Sequence, residues 1–311
     1  MVMKQTRSWL LTIATTALLL AVSGCKDGAK STDEAQQLMA TAYQQKNYNQ
    51  LMQLADSLEK AGDLLPASAN YWRGYACDRL KQREEAAAYW KASLEAAGKS
   101  GSAENVDIYV KSASRLANLL CLNGDYQGTL DMAQPVVARL EELQCDTTSD
   151  YVNLLIYIGL SQVSTGMSEE DTQMGFLRAC EKHRQNINRT HSDAAYKDAI
   201  AGLVNIAYYC VQAKKYEQAL YYTSSFGELL IECEQHSGID AGYVDRQVGR
   251  YTIYKAWALD RLGRKEEAAK AYESFLDTNF SKSAEGMKLA SDYQSGLVSS
   301  EQLEEEEELD V

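Results

Sequence analysis

The side chains able to do chemistry are scattered along this chain. Its three histidines are His183, His191 and His236. No two lie at metal-ligand spacing, and no His-Glu-x-x-His places two imidazoles on one helix face. Each falls near a helix end or loop of the sequence pattern, which predicts a surface position. No glycine-rich loop offers backbone N–H groups to a phosphate. No serine sits in a Gly-x-Ser-x-Gly elbow. Acidic pairs occur at Glu84/Glu85, Glu169/Glu170 and Glu266/Glu267. Paired carboxylates suit general acid–base work, but these open helices, where they complement the positive end of the helix dipole. The expectation is a protein that is not an enzyme, with no cofactor and no bound metal.

Seven cysteines are the remaining reactive groups. Six of them, Cys77, Cys121, Cys145, Cys180, Cys210 and Cys233, fall mostly inside helical patterns, with no Cys-x-x-Cys. They read as buried thiols acting as small hydrophobes or, in an exported chain, as including at least one disulfide. The seventh, Cys25, closes an N-terminal segment of its own kind. Lys4 and Arg7 make a positive start, and Trp9 to Val22 is an apolar run of 14 residues. A membrane-spanning helix needs about 20, whereas this length fits the core of a signal peptide. Val22-Ser23-Gly24-Cys25 resembles the bacterial lipobox. The resemblance implies cleavage before Cys25 and a lipid on its thiol, with residues 1–24 as leader and 25–31 as a polar tether. Acyl chains contribute about 0.8 kcal/mol per buried methylene, enough for stable anchoring in an outer membrane, on its periplasmic or surface face. No second stretch is long and apolar enough to span, so membrane contact is expected through the lipid on Cys25 only.

The formal net charge is −13, and loss of Lys4 and Arg7 with the leader takes it to −15. Such a surface repels phosphate backbones, so nucleic acid is not expected as a partner. Apolar residues make up 45% and there are only two prolines, Pro66 and Pro135. That balance favours long helices. Twenty tyrosines against four phenylalanines predict half-buried rings with wet hydroxyls.

One phrase recurs. Residues 78–87 read Asp-Arg-Leu-Lys-Gln-Arg-Glu-Glu-Ala-Ala, and residues 260–269 read Asp-Arg-Leu-Gly-Arg-Lys-Glu-Glu-Ala-Ala. Each copy joins an apolar helix to a second helix across a short polar break, the mark of an internal repeat. Aligned on such breaks, the chain gives helix pairs at 32–45/47–61, 67–81/83–97, 104–122/125–142, 149–165/168–186, 192–213/215–235 and 241–262/265–278. Residues 282–297 are predicted to close the array, so the helical domain covers 32–297. Residues 298–311 carry Glu304 to Glu308 and are expected to form an acidic disordered tail.

Asn123-Gly124-Asp125-Tyr126 and the two Glu-Glu-Ala-Ala copies resemble the tetratricopeptide repeat. The resemblance implies an all-α solenoid of antiparallel helix pairs with about six repeats. It implies close packing at the small residues Gly74, Ala86, Thr129, Gly159, Ala219 and Ala268, with large side chains at Trp90 and Tyr272. The first repeat departs with Leu51 at a small-residue position, and the fourth slips by about one residue in its second helix. The breaks lie 35, 43, 42, 48 and 49 residues apart, longer than the family spacing of about 34.

In this family the first helices line a concave groove. The matching positions are Tyr71, Tyr75, Arg79, Ser114, Asn118, Val204, Tyr208, Gln212, Ile253, Trp257 and Arg261. Of these, Tyr71, Tyr75, Arg79, Asn118, Tyr208, Gln212, Trp257 and Arg261 are the expected partner-binding residues, because aromatics and arginine dominate binding surfaces. The competing expectation is that the rings pack between helices. The Lys/Asn clamp for peptide carboxylates found in some family members is absent at these positions. The resemblance therefore implies a non-catalytic scaffold or adaptor holding a protein or peptide partner. The alternative is a ligand-binding or sensory lipoprotein that takes a peptide, glycan or small molecule in an aromatic-lined groove. Asn188-Arg189-Thr190 matches a glycosylation sequon by chance, and Asp146-Thr147-Thr148 lies in a predicted loop as a weaker O-glycan candidate.

Overall fold

The structure is a computed structural model that describes residues 32–99, 102–167, 169–233 and 238–296. The leader, Cys25, the tether, His236 and the acidic tail lie outside the described residues. Among those described there are thirteen α-helices and no strand. In chain order they are α1 Thr32–Gln44, α2 Tyr48–Ala61, α3 Pro66–Arg79, α4 Arg83–Ala97, α5 Ala103–Leu122, α6 Tyr126–Glu142, α7 Ser149–Ser164, α8 Glu169–Thr190, α9 Asp193–Gln212, α10 Tyr216–Cys233, α11 Ala241–Arg261, α12 Lys265–Leu276 and α13 Ala284–Ser295. A 3₁₀ turn, Phe280–Lys282, precedes α13. The fold is the expected all-α, tetratricopeptide-like solenoid of six helix pairs closed by a last helix.

The six breaks share one backbone solution. A residue with positive φ ends each first helix: Lys46, Lys81, Gly124, Gly166, Lys214 and Gly263. The N–H of the next residue reaches back to a carbonyl of the last turn, as in Gln82 N to Cys77 O at 2.8 Å and Arg264 N to Leu259 O at 2.9 Å. This satisfies carbonyls that the helix end leaves open. Three breaks use lysine where glycine would carry no strain, so the turn is set by packing on both sides as much as by residue type.

Close approach within pairs follows the small residues. A Cβ on Gly74 would come within 2.5 Å of the Trp90 ring, and one on Gly159 within 2.4 Å of Phe176. Trp90 lies sixteen residues beyond its glycine and Phe176 seventeen, which is the one-residue slip expected in the fourth pair. Gly175 compensates there by letting α8 meet the backbone of Gly159 directly. In the first pair Leu51 is fully buried at the small-residue position, and α1 and α2 are the most loosely packed of the six pairs. Pro135 lies inside α6, which continues through it.

From the second pair onward, each first helix also packs on the next one: α3 on α5, α5 on α7, α7 on α9, α9 on α11 and α11 on α13. Second helices of successive pairs make no comparable contact. A stack in which only one row touches curves toward that row, so α3, α5, α7, α9, α11 and α13 form the concave ridge. At the far end Asp245 accepts from Asn279 N at 3.0 Å and Phe280 N at 2.7 Å. The Phe280 ring covers Gly249, and Arg246 pairs with Glu285 at 2.9 Å. These contacts seat α13 on α11. No helix among the described residues is long and apolar enough to cross a membrane.

Candidate functional site

The ridge residues divide into two groups. Tyr71, Tyr75, Tyr208 and Trp257 are buried, as are Ser114, Val204 and Ile253. Tyr75 meets the rings of Tyr43 at 4.9 Å, Tyr71 at 5.4 Å and Trp90 at 6.2 Å. Tyr208 packs on Tyr254 at 5.2 Å, and Trp257 on Tyr293 at 5.8 Å. The aromatics sit between neighbouring helices, because the ridge helices approach one another and the rings fill the seam. They offer no open stacking platform.

Arg79, Asn118, Gln212 and Arg261 keep access to solvent. Gln212 hydrogen-bonds the Tyr208 hydroxyl within α9. Arg261 donates from Nη2 to Gly296 O at 2.9 Å, capping the end of α13. Arg79 and Asn118 come together with charged residues of the α3–α4 break and of α5. They line a concavity of about 150 Å³ with Tyr48, Asp78, Lys81, Arg83 and Arg115. Trp90, Leu119 and Leu122 form its apolar part.

Local structure explains the convergence. The positive φ of Lys81 turns the chain sharply between α3 and α4, so Arg79, Lys81 and Arg83 share one rim. Arg115 and Asn118 are three residues apart on α5 and therefore face the same side. Two of the cations are held in place. Arg79 Nη2 donates to the Tyr43 hydroxyl at 2.9 Å, and the Arg115 guanidinium lies 4.8 Å from the centre of the Tyr75 ring. The buried tyrosines thus support the charged groups in front of them. Four cationic side chains and Asp78 share the lining of one concavity in an acidic chain. Among its lining residues no nucleophile is paired with a base.

A second cavity, about 190 Å³, lies among α8, α9 and α10. His183, Cys180, Arg184, Ser225 and Glu228 contribute its polar atoms. His183 corrects the surface expectation. It is 6% exposed, and its Nε2 has no hydrogen-bond partner. It faces Gly202, where a Cβ would lie 2.2 Å from Nε2. The α8 helix runs to Thr190, beyond the expected end near 186, so His183 falls within its packed length. Burial pushes its pKa down to about 4, so the ring is neutral at pH 7. His191 is exposed, at the end of α8.

All six described cysteines are free thiols. Burial pushes the Cys180 thiol up to about 12, and Cys121 and Cys210 are raised by the same cause. A buried, protonated thiol is a poor nucleophile. No group of three or more His, Cys, Asp or Glu among the described residues is placed to hold a metal ion. Asp146 of the loop motif is ion-paired with Lys182, and Thr148 accepts from Tyr151 N at 3.2 Å as the cap of α7.

No family model matches this sequence. No curated protein matches it either. Among solved structures, a Rap protein complexed with competence and sporulation factor is 14% identical. The match covers 86% of this chain and 73% of that one, with a TM-score of 0.48. The apo form of RapI is 12% identical over 82% of this chain and 96% of that one, also at 0.48. The fold described above rests on this chain's own helices and turns.

Proposed function

We propose that this protein is a non-catalytic cell-envelope scaffold, tethered by a lipid on Cys25, that holds a protein or peptide partner against its first-helix ridge. The observation that carries the reading is the convergence of Arg79, Lys81, Arg83, Arg115 and Asn118 from two ridge helices and one break. Arginines fixed by rings behind them lose little freedom on binding, and their planar forks favour carboxylates. A concavity of about 150 Å³ is below the roughly 300 Å³ at which small-molecule sites begin. It suits side chains of a larger partner better than an enclosed metabolite. The burial of Tyr71, Tyr75, Tyr208 and Trp257 removes the stacking surface that an aromatic glycan groove requires.

The anchor rests on the N-terminal pattern from Lys4 to Cys25. A lipid on Cys25 in the outer membrane leaves the ridge free on either the periplasmic or the surface side. Affinity capture from detergent-solubilised envelopes tests the scaffold reading. The full chain is expected to retain a specific partner that Arg79→Gln with Arg115→Gln loses. Equal capture by both forms, with unchanged helical content, overturns the site. Cys25→Ser is expected to abolish fatty-acid labelling; a labelled variant overturns the anchor.

A further inference from the structure

Successive second helices stand apart, and the gap between α8 and α10 holds the cavity of about 190 Å³ floored by α9. We propose that this cavity binds a small uncharged molecule, one ring in size and carrying a hydroxyl, with His183 as the group that recognises the hydroxyl. The site lies two pairs along the stack from the Arg79 pocket, so it stands or falls apart from the scaffold reading.

The walls set the ligand's body. Ile187, Ala199, Leu203 and Leu229 are buried apolar side chains drawn from all three helices. A space of about 190 Å³ is too small for a drug-sized ligand. It is ample for one ring, since an apolar cavity of about 150 Å³ takes benzene. Charge stays at the mouth. There the exposed Arg184 reaches across to Glu232 of α10 at 2.7 Å, and Glu228 is exposed. Nearer the helix starts, the Phe176 ring meets Tyr222 of α10 edge to face at 5.7 Å. The gap between these two cross-links is therefore bounded, and it has not collapsed.

His183 selects the head group. It is 6% exposed on the cavity wall, and its Nε2 is shut from solvent without a partner. The atom meets the edge of Gly202, which has no side chain to pair with it. A buried polar atom left unpaired destabilises a fold, and leucine would fill the same space without that loss. The terminal torsion of histidine is broad, so a modest turn of the ring brings the nitrogen to the cavity that the ring already lines. Neutral imidazole carries one donor and one acceptor. A hydroxyl pairs with Nε2 in whichever tautomer it holds, which a carbonyl or an ether does not. Ser225 supplies a further hydroxyl on the α10 wall.

The test titrates the detergent-solubilised full chain with phenol, and with benzene as the ring that lacks the hydroxyl, in a calorimeter with empty micelles as the blank. Phenol is expected to bind saturably and about tenfold more tightly than benzene. His183→Leu is expected to remove that preference, leaving the two rings bound alike. In the wild-type chain phenol is also expected to shift the NMR signals of the His183 ring, identified by their loss in His183→Leu, while those of the exposed His191 stay in place. Ser225→Leu sets an apolar side chain into the cavity from a half-buried position. It is expected to abolish binding of both rings, and it keeps the test valid should His183→Leu lose helical content. Absence of saturable phenol binding overturns the proposal, as does equal binding of phenol and benzene. A preference that survives His183→Leu, or binding untouched by Ser225→Leu, overturns it too. Tighter binding of benzoate or benzylammonium than of phenol overturns the uncharged class.

Discussion

The two copies of the repeated phrase have the same backbone and opposite surroundings. In the first, Gly74 on α3 receives Trp90 of α4 at a distance no side chain could share. In the second, the matching residues are Ala256 and Tyr272, and Tyr272 is only partly buried. In the first, Asp78 and Arg79 open on a pocket with Lys81, Arg83 and Arg115. In the second, Asp260 pairs with Lys265 at 2.7 Å, and Arg261 caps α13. The difference lies in the next helix on the ridge. Beside the first copy stands α5, which brings in further charge. Beside the second stands the closing helix α13, which uses the charge to end the stack. A repeated sequence thus gives one hinge and two fates, and only the interior copy opens its polar face on a concavity that a partner could enter.

That contrast can be broken by mutation. Trp90→Ala is expected to have the largest effect, a loss of about 3–5 kcal/mol, whereas Tyr272→Ala costs less than half as much because part of its ring is already in water. Urea denaturation of the two variants measures the ratio, and equal losses would remove the distinction. Gly74→Ala forces a methyl into the Trp90 ring and is expected to cost about 1–3 kcal/mol. The reverse change in the second copy, Ala256→Gly, opens no clash and should cost about 1 kcal/mol through backbone freedom.

Acid provides a comparison outside both copies. His183 has a depressed folded pKa of about 4 against an ordinary 6.5. Its contribution is therefore complete above pH 6.5 and is lost as pH falls through the folded value. Stability is expected to drop by about 2 kcal/mol between pH 7 and pH 5, and His183→Leu should flatten that slope in thermal melts. An unchanged slope would place the acid-sensitive group elsewhere. The smallest effect is expected from Arg261→Gln, which removes one bond to Gly296 O and costs about 1 kcal/mol or less. Faster amide exchange confined to α13 would identify it; faster exchange across α3 to α5 would contradict the separate roles of the two copies.

Much of the fold was legible in the sequence. Each of the six breaks falls where the polar interruption puts it, and the small residues at 74, 86, 159 and 268 mark the close approaches. The slip in the fourth pair was visible as well, though not Gly175, which repairs it. Legibility failed for His183. Its position was read against a helix end that lies farther along the chain, and its burial depends on Gly202 in the next helix. The site was legible only in part. Arg79 and Asn118 were found through the repeat register, but Arg115 lies one residue from a ridge position and carries no mark of its own. Lys81 and Arg83 read as ordinary break residues.

What the sequence determined by itself is what local chemistry governs: which segments are helical, where the six breaks fall, and the charged starts of the second helices. The tertiary structure decided which tyrosines became seam and which arginines remained at the surface. Periodicity tells a side chain's angle on its own helix. It does not tell how closely the next helix on the ridge approaches, and that distance, set by packing across residues far apart in sequence, buried Tyr75 and left Arg115 in front of it.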